Sequence, residues 1–190
     1  MNTTSQIIAQ IPPPARFTDQ DAEVLLKYKD VLLGFEKGLV KGFYDTLYAH
    51  EATRAIFKDG EREAREKTLI DWYRRTLNGP FDDAYWEWQT FVGLVHIKRQ
   101  VNNAMVSGMW GWVLNYLSEQ ILTQYSVREA LPLIKALHSL QATVFALIAE
   151  SFQRNYYLAV DKAAGISEKL LHRLVATEID GMMEEARSAM

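Results

Sequence analysis

The sequence predicts an all-α fold, and three observations predict it. Turn-forming residues are scarce, with 10 glycines and 5 prolines in 190 residues, and three of the prolines are packed into Pro12-Pro13-Pro14. Apolar residues recur at three- and four-residue intervals in one segment after another, the periodicity of helices with one buried face. No stretch alternates apolar and polar residues as a half-buried strand does. A chain of this length suits one domain with short extensions. Its composition, 48% hydrophobic and 24% charged, is enough to build a core.

The elements follow in order. Residues 1–17 read as an N-terminal extension, with the triproline as a stiff, extended lead-in. Thr18 or Asp19 caps a helix carrying Ala22, Val24, Leu25, Tyr28, Val31 and Leu32. A second helix spans Phe35 to about Ala49, and a short piece from Glu51 to Phe57 stops near Asp59-Gly60. Glu61 to Leu77 is helical and closes at Asn78-Gly79-Pro80. Asp82-Asp83, acidic residues suited to the positive end of a helix, open the next one, which carries an aromatic-rich run to His96. Asn102-Asn103 caps a helix to about Gln124. Within it Gly108 and Gly111, poor helix residues, are expected to mark close contact with a neighbour. From Ser126 or Arg128 to about Asp161 runs a helix approaching 50 Å at ~1.5 Å per residue, longer than its own domain needs and suited to a partner subunit. Gly165 interrupts, Ser167 caps, and residues 162–190 form an amphipathic extension.

Several function classes are excluded. The formal charge is −3, with no concentrated basic stripe for nucleic acid. Without cysteine there are no disulfides, thiolate metal sites or cysteine nucleophiles. Met1 to Arg16 lacks the basic start and apolar core of a secretory signal, so the chain is expected in the cytoplasm. Its uninterrupted apolar runs are far shorter than the ~18–20 residues of a membrane-spanning helix. No nucleophile elbow, P-loop or dinucleotide-binding glycine pattern occurs.

Four histidines remain as candidates. None has a second histidine one helical turn away, as zinc sites use. His50 suits a helix C-terminus, and His138 and His172 fall on surfaces or flanks. His96 lies late in its helix, with Val92 and Gly93 one turn before it. On the residues alone it is either a core histidine satisfied by ordinary hydrogen bonds or a ligand, with Gly93 leaving room for a flat cofactor on the same face. Trp72, Trp86, Trp88, Trp110 and Trp112, with Met105 and Met109, form either plain core or the wall of a large apolar cofactor pocket.

Phe43-Tyr44, Lys67-Thr68-Leu69, Asn78-Gly79, Asp82-Asp83 and His96-Ile97-Lys98, in that order and spacing, resemble the globin-coupled sensor and protoglobin family over Thr18 to Asp161. The resemblance is to that family's isolated sensor globin. It implies a three-on-three globin fold with an extra N-terminal helical segment, a homodimer formed through the last two globin helices, and heme b held by one proximal histidine. It places that ligand at His96 and distal, ligand-stabilising hydroxyls at Tyr44 and Thr68, with Phe43 beside the pocket. Trp72, Val92, Met105 and Met109 complete the expected cofactor wall. An imidazole on one face of the iron leaves the other open to oxygen, carbon monoxide or nitric oxide.

After His96 the sequence departs from the family pattern: Asn103 stands at a usual proline and Met105-Val106 at an aromatic pair, while Gly108 agrees. The function expected is reversible gas binding in a sensor that signals to a partner protein. Two alternatives accompany it. One is a heme enzyme, a nitric oxide dioxygenase or peroxidase-like, dependent on an external electron source. The other is a heme-free globin-fold interaction module.

Overall fold

The computed structural model describes residues 2–190, and these are helical without a strand. Ten α-helices follow one another: α1 (Thr3–Gln10), α2 (Asp19–Lys27), α3 (Lys29–Gly34), α4 (Glu36–Ala49), α5 (Glu51–Arg54), α6 (Arg62–Asn78), α7 (Asp83–Arg99), α8 (Asn103–Gln124), α9 (Val127–Ala164) and α10 (Glu168–Ser188). The capping residues read from the sequence close their helices. Thr18 and Asp21 form a reciprocal capping box on α2, as Ser126 and Glu129 do on α9. The side chains of Asp82, Asn102 and Ser167 accept the amides that open α7, α8 and α10.

The long helix α9 is the axis of the fold, packed against α7, α2, α8 and α1. Leu133, Val144 and Leu147 on it are fully buried, alongside Leu25, Leu32 and Ile121. Each such side chain contributes roughly 1.5–3 kcal/mol relative to exposure. By length and composition α9 is also apolar enough to cross a bilayer, but its buried stripe is engaged by four neighbouring helices, as in the core helix of a globular domain.

Three local expectations are corrected. The triproline is not a wholly extended lead-in, and a helix precedes it. Asn2 caps α1, whose Ile7 is buried at the α7–α9 seam, and the Thr4 hydroxyl meets that of Thr90 at 2.9 Å. Only Pro13–Ala15 turn, as one short 3₁₀ helix. The helix expected from Thr18 through Leu32 divides at Tyr28, whose ring stands edge-on to Tyr125 at 5.5 Å. No glycine or proline announces that break. Gly108 and Gly111 are exposed and face open space, so no neighbour within the chain occupies them.

The close helix approaches use other glycines. On α4, a Cβ at Gly38 would fall 2.2 Å from the Tyr116 hydroxyl, and one at Gly42 2.7 Å from the Trp112 ring. Those two rings stack at 5.4 Å with an interplanar angle of 5°. They fill the notches that the missing side chains leave, locking α8 to α4.

Candidate functional site

The site is built on α7. A Cβ at Gly93 would lie 2.7 Å from the Ile148 carbonyl oxygen and 2.9 Å from Ser151, so this glycine exists to let α7 press against α9. The space it opens is already taken by α9 and does not clear a path to His96 for a flat cofactor. At about 100° per residue, three residues carry the helix to about 60° short of a full turn. His96 therefore sits about 60° round from the α9-facing Gly93, and Arg99 about 60° further. Arg99 reaches the α5–α6 connection, donating to both carboxylate oxygens of Glu61 at 2.7 and 2.9 Å. His96 thus lies on α7 between the α9-facing Gly93 and the Glu61-facing Arg99, and it is partly buried.

The imidazole of His96 is largely removed from water, and its Nδ1 is buried with no hydrogen-bond partner among the described residues. Burial holds its pKa down to about 4, so at neutral pH the ring is uncharged, the form that binds metals. Gln100 in left-handed conformation (φ 58°, ψ 30°) ends α7 there, and the Val101 amide donates to the His96 carbonyl at 3.0 Å.

On α4, Tyr44 is buried and its hydroxyl donates to the Arg65 carbonyl of α6 at 2.7 Å. Burial pushes its pKa well above the usual phenol range, so it stays a protonated donor. Phe57 stands edge-on to Tyr44 at 6.1 Å and stacks on Tyr48 at 5.0 Å. The Tyr48 hydroxyl is buried without a partner among the described residues. Arg99 places its guanidinium 6.0 Å over the Phe57 ring. A continuous set of contacts therefore runs from the His96 helix through Arg99 and Phe57 to Tyr44.

The remaining expected residues divide. Phe43 is half-buried, edge-on to Tyr44 at 5.4 Å and to Trp112 at 6.2 Å. Trp72 is half-buried, edge-on to Trp110 at 5.4 Å, and its indole N–H donates to Gln89 Oε1 at 3.2 Å. Val92 and Met109 pack partly buried on the core, whereas Met105 is half-buried outside that cluster. Thr68 is not brought to the site. It is exposed on α6, and its hydroxyl bonds back to the Ala64 carbonyl at 3.0 Å, the usual outlet for a mid-helix threonine.

Sequence reasoning did not single out Glu61, Arg99, Phe57 or Gln89. Gln89 is fully buried with its amide nitrogen unpartnered among the described residues. It lies seven residues before His96, two helical turns away on the same side of α7. That spacing is the one signal that could have found it. Glu61 and Arg99 read as ordinary surface charge, since nothing local pairs residues so far apart.

The protoglobin family profile matches residues 8–157, most of the chain. The chain belongs to the protoglobin family. Among solved structures, the globin domain of the Geobacter sulfurreducens globin-coupled sensor is similar, with a TM-score of 0.63 and 22% sequence identity. The likeness covers 82% of this chain and 99% of that one. The all-helical architecture is therefore the globin fold, and the family match takes in part of α1 as well as the segment from α2 through most of α9. No curated protein sequence matches the chain. Within this protoglobin, α10 lies beyond the matched segment.

Proposed function

We propose that this protoglobin holds heme b through His96, binds a diatomic gas (oxygen, carbon monoxide or nitric oxide) reversibly, and acts as a cytoplasmic gas sensor. The observation that carries the proposal is the state of His96: an uncharged, partly buried imidazole whose buried Nδ1 has no hydrogen-bond partner among the described residues. An unsatisfied buried polar atom costs about 1–3 kcal/mol, a cost that metal ligation by that nitrogen would remove. The donor chemistry fits heme, which needs one neutral imidazole and an apolar, aromatic-lined surround of the kind Trp72, Trp110 and Phe43 supply.

Heme so held supplies an iron with one coordination position open to a gas. The chain's own residues do the rest. His96 fixes the metal from α7. Tyr44 offers a phenolic donor that burial keeps protonated, and in this structure it spends that donor on the Arg65 carbonyl. The Arg65 carbonyl therefore competes with any gas for the same hydrogen bond. Thr68, exposed and bonded to its own helix, has no part in this reading. Homodimerisation through α8 and α9, with a signalling partner downstream, completes the proposal. It is supported by the family and by the exposed Leu122 and Leu131 on those helices.

Absorption spectra test it. Purified protein supplied with heme is expected to show a Soret band that shifts on reduction and again under carbon monoxide. His96→Ala is expected to lose the five-coordinate ferrous spectrum, with partial recovery on adding imidazole. An unchanged spectrum in His96→Ala, or no Soret band in the wild type, overturns the assignment.

A further inference from the structure

Glu61, the residue on which α6 opens, is held by two guanidiniums. Arg99 of α7 donates to both of its carboxylate oxygens at 2.7 and 2.9 Å. Arg65, one turn further along α6, stands with its Nε 3.4 Å from Glu61 Oε1. That Nε is buried with no hydrogen-bond partner among the described residues. The neighbouring charges pair among themselves, Lys41 and Arg62 with Asp45 and Glu66. Two cations on one carboxylate therefore leave a positive charge in excess, on side chains only 26% (Arg99) and 32% (Arg65) exposed. Partly desolvated cations in excess favour a second anion beside them.

The chemistry of Glu61 indicates which anion. Its side chain is a carboxylate on two methylene groups, the same group that heme carries on its rim as a propionate. Arg99 is three residues after His96, about 4.5 Å further along α7 and about 60° round, on the side of the helix that faces the α5–α6 connection. The acid groups of a porphyrin centred on His96 lie on a wider radius than that step, which brings one within reach of Arg99. A guanidinium takes a carboxylate through two parallel hydrogen bonds, as Arg99 already takes Glu61. Lys98 is not placed for this, being exposed and about 200° round from His96.

Resting on the assignment of heme to His96, we infer that the Arg99 guanidinium is the binding site for a heme propionate and that Glu61 is its internal substitute. Glu61 fills the fork in the heme-free chain and yields it when heme binds, while Arg65 retains the displaced carboxylate.

This role and a purely structural one predict opposite signs at Glu61. A structural clasp, once neutralised, loosens the end of α7 and lets heme go sooner. An internal competitor, once neutralised, leaves Arg99 to the propionate, and heme stays longer.

Heme-loaded full-length proteins are mixed with excess apomyoglobin, and heme loss is followed in the Soret band. Relative to wild type, Glu61→Gln is expected to lose heme about three-fold more slowly and Arg99→Gln about five-fold faster, the size of a partly exposed charge pair. Loaded instead with heme whose propionates are methyl esters, the three proteins are expected to lose it at one rate. Faster loss from Glu61→Gln, equal rates with ordinary heme, or an Arg99→Gln effect that persists with the ester each overturn the inference and leave the heme assignment standing. A wild type that takes up no heme, or a Soret band indifferent to His96→Ala, overturns that assignment and this inference with it.

Discussion

Arg99 and Glu61 are 38 residues apart in the chain, yet the guanidinium of one grips both carboxylate oxygens of the other, at 2.7 and 2.9 Å. The pair fastens the end of the His96 helix to the loop that carries Phe57 against Tyr44. Hydrogen bonding from Arg99 and the Lys58 amide brings the Glu61 pKa down to about 2 from an ordinary 4.5. A carboxylate depressed by folding adds stability that is present above its unfolded pKa and lost as pH falls through the folded one. The melting temperature of the wild type is expected to fall between pH 4.5 and pH 2 more steeply than that of Glu61→Gln. Parallel curves for the two proteins over that range count against the clasp.

His96 titrates in the opposite chemical sense but along the same direction of pH. Its folded pKa, about 4, lies below the ordinary 6.5 because burial disfavours the charged ring. Above pH 6.5 neither state of the heme-free chain is protonated there. As pH falls toward 4 the unfolded chain takes up a proton that the folded one refuses, which weakens folding by roughly 3 kcal/mol at full effect. Urea unfolding of the heme-free protein at pH 7.5 and pH 4.5 is expected to show this loss, and His96→Gln to lack that share of it.

Two glycine substitutions are expected to move stability in opposite directions. Gly93→Ala drives a methyl group against the Ile148 main chain, overpacking that typically costs about 1–3 kcal/mol. Gly108→Ala adds the same group at an exposed helix position where nothing lies within 4 Å, which gains roughly 0.5–1 kcal/mol. Chemical denaturation midpoints decide both.

Tyr44→Phe removes the donor now held by Arg65. In heme-loaded protein, oxygen release measured by stopped flow is expected to quicken about ten-fold or more, equivalent to ~1.4 kcal/mol of hydrogen bonding. An unchanged rate shows that Arg65 keeps the phenol.

What the sequence disclosed, and what it withheld, divides along a physical line. Caps and helix spans were legible because they depend on residues within one turn of each other, as at Thr18–Asp21 and Ser126–Glu129. The family was legible in motifs that recur at set spacing. Tyr28 concealed its break because the interruption is tertiary, imposed where the chain meets Tyr125. The glycines misled for the same reason. A bare residue on a helix says that something comes close, but not from which direction: Gly93 receives α9, Gly38 and Gly42 receive rings, and Gly108 receives nothing. Likewise Thr68 matched its motif position, while helix rotation turned it outward.

The aromatic pegs of Trp112 and Tyr116 in α4 set a mechanical rule for this molecule. Neither α4 nor α8 can slide past the other without first withdrawing a ring from its socket, so the two translate together. Tyr44 is two residues beyond the Gly42 socket. Any shift of α8 along the α4 axis would therefore carry with it the turn of α4 that bears Tyr44.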